Sequence, residues 1–123
     1  MDIEKVRNYC LSKPETTESF PFDDVTLVFK VVGKIFAITS LDRQPMSINL
    51  KCDPEKAVEL RETYTAISPG YHMNKTHWNT LSLDSSLSSS LVQELIDHSY
   101  DMVVATLKKN DRERIKALLL RSI

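Results

Sequence analysis

Glycine is nearly missing from this chain: only Gly33 and Gly70 occur in 123 residues. No glycine-rich loop can wrap its amides around a phosphate, and neither the P-loop nor GxGxxG is present. The two cysteines, Cys10 and Cys52, stand far apart, which argues against both a disulfide framework and a zinc site. HExxH, CxxC and GxSxG are also missing, so the motif-bearing hydrolases and metalloproteases are not indicated. A catalytic centre assembled from dispersed residues would leave no such trace. No apolar run reaches the length of a bilayer span. The start Met1-Asp2-Ile3-Glu4 lacks the basic-then-apolar order of a signal peptide. These absences predict a cytoplasmic, non-enzymatic protein with no membrane contact, metal or cofactor.

The remaining composition is that of one globular domain, 41% apolar and 27% charged. Net charge is −1, which by itself gives no support to nucleic-acid binding. Its distribution says more. Residues 1–107 carry 10 basic and 15 acidic side chains, net −5. Residues 108–123 carry Lys108, Lys109, Arg112, Arg114, Lys116 and Arg121 against Asp111 and Glu113, net +4. The chain thus divides into a body, 1–107, and a basic amphipathic helical tail, 108–123. Such a tail is either an arm for an anionic partner or a solvated helix end whose cations suit the macrodipole.

Apolar periodicity places a helix over Asp2–Ser12, ended by Pro14. Residues 16–25 form an extended connection or short strand. Thr26–Thr39 reads as a hairpin around a Gly33-Lys34 turn. That register sends Leu27, Phe29, Val31, Phe36 and Ile38 to the core and Val28, Lys30, Val32, Ile35 and Ala37 outward. A strand over Met46–Lys51 follows, with Ser47, Asn49 and Lys51 outward. Asp53-Pro54 is a helix start, an N-cap acid before proline, and that helix should reach Thr63. Ser68-Pro69-Gly70 is a turn signal. A short strand over Tyr71–Met73 is expected to pair with the next one. A long helix runs from Ser89 to Lys108, and Asn110-Asp111 opens a last one carrying Ile115, Leu118 and Leu119. This order fits an α+β fold, a two-layer antiparallel sheet with helices on one face.

The stretch Tyr71 to Leu81 holds the single tryptophan and two of the three histidines. Strand alternation from Thr76 onward puts Trp78, Thr80 and Ser82 on one face and His77, Leu81 and Leu83 on the other. With the leucines in the core, Trp78 faces out among polar residues and His77 faces in, where a histidine more often donates a buried hydrogen bond than performs chemistry.

Several segments together resemble the MmcQ/YjbR family. They are Thr16-Thr17-Glu18-Ser19-Phe20-Pro21-Phe22, Val28-Phe29-Lys30-Val31, Gly33-Lys34-Ile35-Phe36-Ala37, Ile48-Asn49-Leu50-Lys51-Cys52-Asp53-Pro54 and Asp97-His98-Ser99-Tyr100-Asp101-Met102-Val103. Order and spacing agree over roughly residues 1 to 107. The resemblance implies a fold like that of CyaY and frataxin, and a proposed role in DNA binding. Asp23 and Asp24 depart from it, standing in a turn where the family more often has glycine. Frataxin-like iron binding needs an acidic ridge, whereas the first helix here mixes Asp2 and Glu4 with Lys5 and Arg7.

The leading expectation is therefore a double-stranded DNA-binding domain, monomeric or weakly dimeric. Its nucleic-acid-binding residues are Lys30, Lys34, Lys51, His72, Lys75 and Trp78. Lysines would neutralise phosphates, Trp78 would stack on a base or wedge at a groove, and the hairpin tip would act as a wing. The alternative is a protein-interaction or small-ligand module with no nucleic-acid role, in which the same face or the apolar stripe of the tail meets its partner. A solvated face whose lysines discourage edge aggregation is the plainest reading of the same residues.

Overall fold

A computed structural model describes residues 1–70 and 73–121. Its elements, in chain order, are α1 (Ile3–Leu11), β1 (Thr16–Ser19), β2 (Thr26–Val31), β3 (Lys34–Ser40), β4 (Ser47–Lys51), α2 (Pro54–Thr63), β5 (Ile67–Pro69), β6 (Trp78–Ser82), α3 (Ser89–Val104) and α4 (Lys109–Arg121). The described strands form one antiparallel sheet in the order β1-β2-β3-β4-β6-β5. The α+β class is thus shown.

Local chemistry sets the helix starts. Asp2, Asp53 and Ser88 each accept a backbone N–H from three residues on, at 2.9, 3.1 and 3.1 Å, the N-cap geometry that satisfies an otherwise orphaned donor. Helix α3 buries Val92, Leu95, Ile96, Ser99, Tyr100 and Val103 and lies against β2, β3 and β4. The core between helices and sheet includes Val6, Phe29, Phe36, Ile48, Leu50, Leu81, Ile96 and Tyr100. The rings of Phe36 and Tyr100 meet edge-on, 5.3 Å apart at 89°. Tyr100 Oη donates to the Pro14 carbonyl at 2.6 Å. Lys13 pairs with Asp97 and lies 5.0 Å and 5.3 Å from the ring centres of Tyr9 and Tyr100, so cation–π contacts help fasten α1 to α3.

The hairpin corrects the expected register. Val31 pairs with Lys34, which makes Val32-Gly33 the turn. Both turn residues have positive φ, 48° and 78°, as the tight turn favoured by strand twist requires. A bulge then moves the pairing from Lys30↔Ile35 to Phe29↔Ala37. An extra residue on one strand reverses the alternation beyond it. Phe36 and Ala37 are both fully buried in the core, while Ile38 pairs with Val28 and Asn49 on the far face. The expected positions of Ala37 and Ile38 are thereby exchanged.

One further expectation changes. The partner strand of β6 is Ile67–Pro69, not Tyr71–Met73; Met73 lies in a bend, and Tyr71 and His72 are outside the described residues. The tail, for which the sequence left two readings open, packs on the domain. Ile115 is 1% exposed within the core, and Arg114 forms a two-pronged pair with Glu15 at 2.6 and 2.7 Å.

Candidate functional site

Directly opposed residues in an antiparallel pair share a face. The registers therefore align Lys30 with Thr17 and Ile35, Ile38 with Val28 and Asn49, Asn49 with Thr80, and Lys51 with Trp78, all on the side away from α3. The outward strand positions include Lys30 and Lys51 and, among the described residues, no carboxylate. Six acids lie on the covering helices: Glu55, Glu59 and Glu62 on α2, and Glu94, Asp97 and Asp101 on α3. A body with net negative charge thus keeps its sheet face free of anionic side chains.

Charge is also graded along the strands. At one end lie Asp23 and Asp24 before β2, Asp42 after β3 and Asp84 after β6, with Arg43 among them. At the other lie Lys30, Lys34, Lys51 and, just before β6, Lys75 and His77, together with the acids Glu15 before β1 and Asp53 after β4. That basic end contains a shallow concavity of about 390 Å³ lined by Lys51, Asn74, His77, Trp78, Met102 and Thr106.

The structure distributes the expected binding residues unevenly. Lys30, Lys51 and Trp78 stand on the outward face, Trp78 half-buried. Lys34 turns the other way: its Nζ lies 3.4 Å from both the carbonyl and the hydroxyl of Thr106. There its charge suits the carbonyl end of α3, so Lys34 is not part of the outward face. Lys75 folds over its own loop, with Nζ 3.2 Å from the Gly70 carbonyl. His72 lies outside the described residues. His77 is not the core histidine that alternation predicted. It sits in the turn before β6, exposed, its carbonyl accepting Cys52 N–H at 2.8 Å.

Sequence reasoning missed a second feature of this face. Ile35 and Ile38 floor a groove of about 330 Å³, walled by Phe22 and Met73 and edged by Asn49. Asp23 shapes the loop that presents Phe22. One carboxylate oxygen accepts N–H groups of Val25 and Thr26 at 2.9 and 2.7 Å, and the other accepts Thr26 Oγ1 at 3.0 Å. These bonds hold the Asp23 carboxyl below its usual range, and they show how the turn forms without glycine. Periodicity could not reveal the groove, because the bulge brings Ile38 to this face. The one sequence signal was Phe22 itself, an aromatic beyond the end of a strand.

His98 binds α3 to the start of α2: its Nε2 accepts Asp53 N–H at 3.1 Å. Burial, then nearby Lys56, lowers its pKa from the ordinary 6.5. The folded state therefore favours neutral imidazole, which alone can accept that bond. Between the lowered pKa and 6.5 the unfolded chain binds more protons, so this contribution is present above 6.5 and is lost as pH falls below it. Denaturation midpoints measured at pH 7 and 5.5 should fall further for the parent than for His98→Gln, which keeps an acceptor but does not titrate. Equal falls would remove His98 as the cause.

Among the described residues no three His, Cys, Asp or Glu side chains converge as a metal site would need, and no helix is long and apolar enough to cross a membrane.

The family model described as YjbR matches residues 11–102. The chain belongs to the YjbR family. It is 38% identical over 113 residues to YbdF of Escherichia coli O157:H7, covering 92% of this chain and 93% of that one. Against YjbR of Escherichia coli K12 the identity is 33% over 118 residues, covering 96% and 100%. The crystal structure of Deinococcus radiodurans protein DR2400, carrying domain DUF419, aligns with a TM-score of 0.86 at 39% identity, over 93% of this chain and 87% of that one. A Pseudomonas syringae crystal structure aligns at 0.73 and 28% identity, over 83% and 98%. The two solved structures share the fold over 93% and 83% of this chain, while α4 lies beyond the segment that the family model matches.

Proposed function

We propose that this YjbR-family chain is a non-enzymatic bacterial cytoplasmic protein that binds the phosphate backbone of DNA along its open sheet face. The observation that supports this reading is the Lys51–Trp78 cross-strand pair at the basic end of a face that carries no carboxylate at its described strand positions. Lysines there neutralise phosphates, and the half-buried indole beside one of them supplies a stacking surface. Lys30 extends the same charge along β2. Lys34 and Lys75 have intramolecular carbonyl partners and serve the local structure. The two-layer build also accommodates the CyaY-like comparison that the sequence suggested.

The test is a fluorescence titration of Trp78 with short DNA at low and high salt. Saturable quenching should weaken as salt rises. Lys30→Glu combined with Lys51→Glu should reduce affinity more than about ten-fold and flatten the salt slope by roughly two, about one per phosphate contact. Unchanged affinity in that variant would overturn the reading. It would leave the protein-interaction or small-ligand alternative, which is favoured by Leu118 and Leu119 of α4, 36% and 42% exposed.

A further inference from the structure

The groove in the middle of the open face is separate from the Lys51–Trp78 pair, and its chemistry is specific. Ile35 and Ile38 give it an apolar floor, and Phe22 and Met73 enclose it from two different loops. Its volume of about 330 Å³ lies within the range of pockets that hold small organic groups. Phe22 is 69% exposed, so its ring contributes little to the core and much to the rim. The Asp23 turn fixes the loop that carries it.

Asn49 breaks the apolar lining. Its Oδ1 accepts from Thr80 Oγ1, and its amide nitrogen makes no hydrogen bond among the described residues, so a donor is available at the groove edge. Lys30 stands beside the groove as the cross-strand partner of Ile35. Lys51 follows Asn49 by two residues on the same face, about 6.6 Å along the strand. The occupant that satisfies these groups is flat and largely apolar, offers an acceptor on its edge, and carries an anion a short distance away. An unpaired nucleobase with its phosphate has all of these features. A base inside a duplex has its flat faces covered by its neighbours.

We propose that this groove takes one unpaired base of single-stranded DNA, stacked on Phe22 and hydrogen-bonded by Asn49, with the adjoining phosphates on Lys30 and Lys51. The proposal rests on the phosphate-binding reading and adds what lies between the phosphates.

The experiment measures affinity of the full chain for three probes: a short single-stranded oligonucleotide, the same strand with internal abasic sugars, and the blunt duplex. The intact single strand should bind about ten-fold more tightly than the abasic strand, as one stacked base provides. Phe22→Ala, at an exposed position, should erase that difference and leave the abasic strand's affinity unchanged. Equal affinity for intact and abasic strands, with no effect of Phe22→Ala, would overturn the base site while the phosphate reading stands. Failure to bind any of the three would overturn both.

Discussion

Ser99→Ala should cost about 2–4 kcal/mol of folding stability, a large share of the roughly 5–15 kcal/mol typical of a domain. The reason is the bulge in β3. If the ladder continued past Ala37↔Leu50, Phe36 would pair with Lys51. Instead the Ser99 hydroxyl stands between them, accepting Lys51 N–H at 2.9 Å and donating to the Phe36 carbonyl at 2.6 Å. A helix side chain thereby completes the sheet where its own ladder lapses. Ser99 is fully buried, so alanine leaves both an N–H and a C=O without a partner in a dry interior, each costing about 1–3 kcal/mol. Denaturant midpoints would measure the loss, and faster hydrogen exchange at the Lys51 amide would locate it. A variant as stable as its parent would mean that another group takes the hydroxyl's place. Because Lys51 is the cross-strand partner of Trp78, a confirmed loss would also tie the candidate interface to a residue on the opposite side of the sheet.

Gly70→Ala carries the next largest expected effect, about 1–3 kcal/mol from overpacking. A Cβ there would lie 2.8 Å from Trp78 Cβ, 3.0 Å from the Trp78 carbonyl oxygen and 3.1 Å from Met73 Cβ. Two of these neighbours belong to a strand that cannot retreat without breaking its pairing with β4. Gly70 N–H also donates to that same Trp78 carbonyl at 2.8 Å, so the clash and the bond compete. The emission of the single tryptophan should shift together with the unfolding midpoint. If neither moves, the loop yields more readily than the close contacts imply.

Much of this architecture was legible in the sequence because local chemistry determined it. Asp53-Pro54 is a helix start in any tertiary setting, and its helix runs to Thr63 as the pattern predicted. Strand alternation placed Trp78, Lys30 and Lys51 on the outward face correctly, since alternation is unbroken within β2, β4 and β6 and the bulge's extra residue lies on β3. Most of the failures share a cause, which is non-local geometry. The bulge at Phe36 has no sequence mark, yet it exchanges Ala37 with Ile38 and creates the groove floor. Lys34 and Lys75 are exposed, but their intramolecular partners were not legible, because a carbonyl 72 residues away, or across a loop, cannot be seen from spacing. Ser99 was recognisable as a small residue on the packing face, but its place between two strands was not. His77 was misassigned because alternation was extended one residue beyond the strand.

The sheet's two edges restrict how this domain can meet a macromolecule. β5 is three residues long and ends in Pro69, which has no N–H to offer. β1 is four residues long, with Pro14 before it and Pro21 after. Neither edge can template an added strand over any length. Among the described residues, neither border therefore offers recognition through main-chain pairing, which is common among sheet proteins with free edges. The proposed interface must therefore recognise its partner through side chains, which can be exchanged without disturbing the ladder.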